Sequence, residues 1–238
     1  ILLLLTTWVG ALSAQNHQAA TRTTFDPVLH PFLHGVASGD PLADRVIIWT
    51  RVTPEAPEDG PLTVGWRVAA DPKLQNIVQS GQVITGPQRD YTVKVDVTGL
   101  EPGTTYYYGF TALERNSLTG RTATTPQGDK ASHLRFGMVS CNSFQVGYFN
   151  AFRAMARRTD LDGIIHLGDY IYEQAAGANS DLERDRPIAP ANKLITLEDY
   201  RLRYASYRLD TNLVRAHQQH PFLLVWDDHE FGDNAYKG

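Results

Sequence analysis

The sequence predicts two unlike parts, a β-sandwich over residues 31–130 followed by an α/β domain over residues 131–238. Short runs of β-branched and aromatic residues with Gly- and Pro-marked turns between them fill the first part. After residue 130, strand-like and helix-like runs alternate, the pattern of a sheet with crossover helices. The 238 residues are 42% apolar and 20% charged, the ordinary composition of a soluble globular chain.

The elements follow in order. Residues 1–14 open with an apolar run that gives way to Ala11-Leu12-Ser13-Ala14. This reads as the tail of a secretory signal peptide, too short to span a bilayer. Its start, with Met and a basic segment, is expected upstream. Residues 15–30 are polar and aperiodic and read as a linker. Residues 45–52 and 62–69 are strand-like, and Tyr91, Val93, Val95 and Val97 alternate with polar neighbours, giving a strand with one wet face. Tyr106, Tyr107 and Tyr108 follow a Gly-Leu-Glu-Pro-Gly turn. The spacing Leu100-x-Pro102-x-Thr104-x-Tyr106 resembles the E–F corner of an immunoglobulin or fibronectin III-like sandwich, where a tyrosine bonds back to the chain.

In the second part, residues 134–140 form a strand candidate ending at Cys141. Residues 147–158 have helical spacing, with Phe149, Phe152 and Met155 on one face. Residues 162–167 form a second strand, ending at Gly168-Asp169. Thr196-x-x-Asp199 has the spacing of a capping box and opens a helix carrying Leu197, Tyr200, Tyr204 and Tyr207. Residues 213–217 suggest a further helix, and residues 221–226 a third strand, ending at Asp227-Asp228-His229-Glu230. Gly238 arrives just after this densest polar cluster, so the chain is read as a fragment.

The net charge of −4 gives no reason to expect a nucleic acid or an anionic membrane as partner. An anionic substrate would need a local attraction, for which bound cations are a natural source. Cys141 is the only cysteine, so no internal disulfide forms.

Three buried-looking strands thus end in reactive residues, and ligands of open α/β sheets bind at the carboxyl ends of strands. Carboxylates can bridge two metals, and a tyrosinate or thiolate suits a trivalent or borderline ion such as iron. Two metals would promote in-line displacement at phosphorus, with a nearby histidine protonating the leaving group. Cys141, Asp169, Tyr172 and Asp228 are the candidate ligands and His229 the candidate acid. Taken singly, each has a plain alternative: a core thiol, a helix cap, a packed ring, a surface turn. Arg208 could reach a phosphate or sit on a helix surface. Asn142, Asp233 and Asn234 could approach the metals. His166 and Trp226 read as core residues, His217 and His220 as solvated, and Arg153, Arg157 and Arg158 as a wet helix face.

The stretches His34-Gly35-Val36-Ala37-Ser38-Gly39-Asp40-Pro41, Val46-Ile47-Ile48-Trp49-Thr50-Arg51, Ser140-Cys141-Asn142, His166-Leu167-Gly168-Asp169-Tyr170-Ile171-Tyr172-Glu173 and Val225-Trp226-Asp227-Asp228-His229-Glu230-Phe231, in this order, resemble the PhoD-type alkaline phosphatase and phosphodiesterase family. The resemblance implies an Ig-like domain and then the N-terminal half of a metallophosphoesterase domain. It implies Fe3+ on Cys141, Asp169 and Tyr172, with Asp169 bridging to Ca2+ and Asp228 binding Ca2+. His229 would stand near the leaving oxygen. The implied activity is hydrolysis of phosphate monoesters and diesters at alkaline pH, outside the cytoplasm, by a monomer without stable membrane insertion. The family takes further Asp and His ligands from a later strand end, so residues 1–238 alone are expected to be inactive. A purple-acid-phosphatase-like enzyme is disfavoured by Cys141 and by Asp227-Asp228-His229, where that family has a carboxylate and Gly-Asn-His. A non-catalytic binding module predicts no dependence on Asp169, and a Cys141–His229 hydrolase predicts no chelator effect.

Overall fold

The computed structural model describes residues 27–55, 60–128, 133–177 and 186–235. The expected signal remnant and residues 15–26 of the linker lie outside the described residues. Among the described residues no helix is long and apolar enough to cross a membrane.

The strands are β1 (Val36–Gly39), β2 (Arg45–Arg51), β3 (Leu62–Ala69), β4 (Ile77–Thr85), β5 (Thr92–Thr98), β6 (Thr105–Ala112), β7 (Arg115–Asn116), β8 (Gly120–Ala123), β9 (Phe136–Val139), β10 (Gly163–His166) and β11 (Pro221–Leu224). The helices are α1 (Asn150–Ala156), α2 (Leu197–Tyr207) and α3 (Thr211–Gln219). One sheet runs β4-β3-β6-β7, with β8 also on β6; the other runs β5-β2-β1-β11-β10-β9.

Alternation sets which faces are buried. Val46, Ile48, Val93 and Val97 of one sheet meet Val64, Val68, Tyr106, Tyr108 and Phe110 of the other in a single apolar cluster. The backbone N–H of Glu101 donates to the Tyr106 hydroxyl at 2.9 Å, the bond expected at the corner.

The six-stranded sheet joins strands from both parts of the chain. β5, β2 and β1 are antiparallel, whereas β1–β11, β11–β10 and β10–β9 are parallel. Ser38 pairs with Pro221 and Gly39 with Phe222. A second cluster, including Phe149, Phe152, Ile164, Ile171, Tyr207, Leu213 and Phe222, lies between this sheet and the helices. β10 is buried, but β9 is an edge strand with Met138 63% exposed, so the three strands are not equally interior as expected.

The helix ends follow their signals. Thr196 Oγ1 accepts from Asp199 N at 3.2 Å, and Asp199 Oδ2 accepts from Thr196 N at 2.9 Å. Asp210 caps α3 by accepting from Asn212 N and Leu213 N. Two expectations fail beyond this point. His217 and His220 are buried, not solvated. His217 lies one turn after Leu213 on the buried face of α3 and stacks on Phe222 at 3.7 Å; the Nε2–H of His220 donates to the Met155 carbonyl. Trp226, expected in the core, is 70% exposed, because it lies past the end of β11 and meets Phe231 edge-on. His166 is buried, and Arg153, Arg157 and Arg158 are exposed, but α1 ends at Ala156, so only Arg153 of the three lies on a helix face.

Candidate metal centre

The parallel strands β9, β10 and β11 release their chains on one side of the sheet. Beyond the strands, Leu167 N donates to Val139 O, Val225 N to His166 O, Cys141 N to Gly168 O and Asn142 N to Asp169 O. The three exit loops therefore stay bonded to one another where the reactive residues begin.

The turn after β10 has an unusual backbone. Gly168 has φ +97°, and a side chain there would lie 2.5 Å from Asp227 Cβ. Asp169 and Cys141 have φ values of 52° and 56°. Non-glycine residues in this left-handed region are uncommon and concentrate at functional sites.

Asp169, Asp228 and His229 each offer a ligand atom, and these atoms all lie within 4.8 Å of one another. Tyr172 joins them, its hydroxyl donating to Asp169 Oδ2 at 3.3 Å and its ring packed on His229 at 4.3 Å between centroids. Burial first, then the neighbouring Asp169 and Cys141, hold the Tyr172 hydroxyl well above the usual phenol range. A cation here would reverse that logic. Cys141 neighbours Tyr172 but is not among the three residues whose ligand atoms cluster, and its thiol is exposed rather than part of the core.

His229 Nδ1 meets Glu173 Oε2 at 2.8 Å, leaving Nε2 as the nitrogen available to the site. Burial works against charge on His229, but Glu173, Asp169 and Asp228 outweigh it and raise its pKa. The backbone N–H of Asn234 heads the groups that lower the Asp228 carboxyl.

The donor set fits a metal ion. Asp169 is 6% exposed, and its Oδ1 is buried without a hydrogen-bond partner. An unsatisfied buried acceptor costs about 1–3 kcal/mol, which a cation would offset. Carboxylate, phenol, thiolate and imidazole together suit hard and borderline ions.

Other sequence candidates stand elsewhere or are already engaged. Asn142 uses its amide on the Tyr170 carbonyl and His166. Asp233 N donates to Glu173, and Asn234 N to Asp228. Arg208 is not among the residues gathered here. It is buried, donates to the carbonyls of His34 and Val36, and lies over Trp49 at 4.9 Å. It lines a cleft of about 770 Å³ between β1, β2, β5 and α2 whose walls include Tyr170 and Trp226 but none of the five residues around the centre. Sequence reasoning passed over Glu173 and Glu230. Both close their motifs, and Asp227-x-x-Glu230 has the spacing of a capping box, which the structure forms.

Two family models match the chain: the N-terminal domain of PhoD-like phosphatases over residues 17–126, and the PhoD-like phosphatase domain over residues 136–238. Alkaline phosphatase D of Bacillus subtilis (strain 168) is 40% identical over 213 residues, covering 86% of this chain and 36% of that protein. A solved structure of PhoD superposes with a TM-score of 0.79 at 38% identity, over 86% of this chain and 40% of that one. The chain therefore spans well under half the length of these relatives. Both domain models match in the order in which the motifs were read, and the chain belongs to the PhoD-like phosphatase family.

Proposed function

We propose that the protein hydrolyses phosphate monoesters and diesters at a metal centre held by Cys141, Asp169, Tyr172 and Asp228. The observation that carries this is the partnerless, buried Oδ1 of Asp169, beside Asp228 and His229. As anionic thiolate and phenolate donors, Cys141 and Tyr172 suit a trivalent iron ion, and Asp169 with Asp228 suits Ca2+. Such ions supply charge neutralisation at phosphorus when bound. His229, fixed through Nδ1 by Glu173, has Nε2 available to give a proton to the leaving oxygen. Arg208 belongs to the proposal only as a buried cation facing the cleft beside α2.

The signal-like residues 1–14 support export, and alkaline conditions would suit a thiolate and phenolate donor set. The core shared by the five-stranded sheet and the N-terminal strands β1, β2 and β5 of the other, with the Tyr106 bond, supports an immunoglobulin-like sandwich. The test is release of phosphate from a monoester and a diester at alkaline pH by the full-length protein. Activity should vanish with chelator, return with calcium, and be lost in Asp169→Asn. Chelator-resistant turnover, or full activity in Asp169→Asn, would sink the reading.

A further inference from the structure

Two carboxylates beside the centre are almost fully buried, Glu173 at 1% and Glu230 at 6% exposure. Neither forms an ion pair with a Lys or Arg among the described residues, although the charge of Arg203 acts on Glu173. Their bonds cross between the same two loops in opposite directions. Glu230, on the loop after β11, accepts from Asp169 N at 3.0 Å and Tyr170 N at 2.6 Å, both on the loop after β10. It also accepts from Asp227 N at 2.7 Å. Glu173, on the β10 loop, takes His229 Nδ1 at 2.8 Å and Asp233 N at 3.1 Å, both on the β11 loop.

We propose that Glu173 and Glu230 are positioning residues, a reciprocal brace that sets the distance between Asp169 and the Asp228–His229 pair. The inference rests on the metal-centre reading above. Both oxygens of each carboxylate are already engaged, so neither is offered to a metal, and neither belongs to the group of clustered ligand atoms. Their work is geometric. Glu230 clamps the N–H of Asp169 itself, where the backbone is left-handed. Glu173 fixes the ring of His229 and its tautomer, Nδ1–H toward the carboxylate and Nε2 toward the site. Partners of this kind typically change metal affinity by about 10–100-fold when removed.

Glutamine is the probe, because it keeps shape and one acceptor oxygen but turns the other into a donor that faces an N–H. Metal-stripped full-length protein would be titrated with Ca2+ by calorimetry, with melting temperature measured in parallel. Glu230→Gln and Glu173→Gln should each weaken Ca2+ binding about 10–100-fold, while exposed Glu198→Gln leaves it unchanged. The double variant should lose less than the product of the two single losses, because both bonds hold one spacing. A purely structural role would lower the melting temperature and leave the affinity of the folded protein alone. Wild-type affinity in both folded glutamine variants, with binding lost in Asp169→Asn, overturns the brace and keeps the metal reading. Wild-type affinity in Asp169→Asn overturns both. Should a glutamine variant not fold, hydrogen exchange of the native protein decides: the Asp169 and Tyr170 amides must be protected, and rapid exchange at both overturns the brace.

Discussion

Gly168→Ala tests whether the loop carrying Asp169 is held as tightly as its backbone indicates. The φ of +97° lies where side chains are strained, a cost of about 1–3 kcal/mol. The added methyl would stand 2.5 Å from Asp227 Cβ and 2.6 Å from Asp227 N. These neighbours cannot swing aside like the tip of a long side chain, so overpacking adds about 1–3 kcal/mol. The sum is about 2–6 kcal/mol, or roughly 4–24 °C in melting temperature for a chain of this size. Gly147→Ala is the control, since nothing lies within 4 Å of its added methyl, and it should stay within about 0.5 kcal/mol of wild type. Thermal unfolding followed by circular dichroism reads both. A Gly168→Ala protein melting with the wild type would refute the contact between the β10 and β11 loops.

Three further outcomes follow from the packing. Tyr106→Phe removes the acceptor for Glu101 N and should lower stability by about 1–2 kcal/mol in urea denaturation; no change would mean that the corner bond is idle. Arg203 is fully buried and donates to the carbonyls of Tyr172, Gln174, Ala189, Pro190 and Asn192. Lysine, with three donors, would strand at least two of them, so Arg203→Lys should cost about 2–4 kcal/mol, and a loss below about 1 kcal/mol would contradict this. Burial lowers the pKa of His166 to about 4 and also lowers those of His217 and His220. The unfolded chain therefore takes up protons below about 6.5 that the folded one refuses, and stability should fall as pH drops below that value and level off above it. His229, raised through Glu173 against its own burial, acts in the opposite sense, one residue against three. Urea midpoints of the metal-free protein from about pH 7 to about pH 5 measure the balance, and a flat or rising profile on acidification would refute it.

Local signals carried most of the elements. Richness in β-branched and aromatic residues marked β2, alternation marked β3 and β5, and the Thr196–Asp199 spacing marked the start of α2 to the residue. The convergence at the centre was also legible, because parallel strands with polar ends leave few other places for Asp169, Asp228 and His229. What was not legible depended on neighbours distant in sequence. His217 was read by its polarity, though its spacing from Leu213 placed it on the buried face of α3, where Phe222 supplies a stacking partner. Trp226 was read by its size, but the strand ends before it. The roles of Glu173 and Glu230 needed the other loop in view, since the partners each finds across it lie 56–61 residues away.

The motif at residues 34–41 has no reactive side chain in the centre, yet the structure gives it a part in building it. β1 lies directly beside β11, and Gly39 faces Phe222 so closely that a methyl would stand 2.7 Å from its carbonyl oxygen. Arg208, at the end of α2, donates to the His34 and Val36 carbonyls at the start of β1. β11, whose exit loop carries Asp227-Asp228-His229, is therefore interior, bounded by β10 on one side and by β1 on the other. Without β1 it would be a four-residue edge strand, with its outer N–H and C=O groups left without ladder partners. The N-terminal part of the chain is in this sense a wall of the sheet that carries the site, pairing with β11 through Ser38 and Gly39.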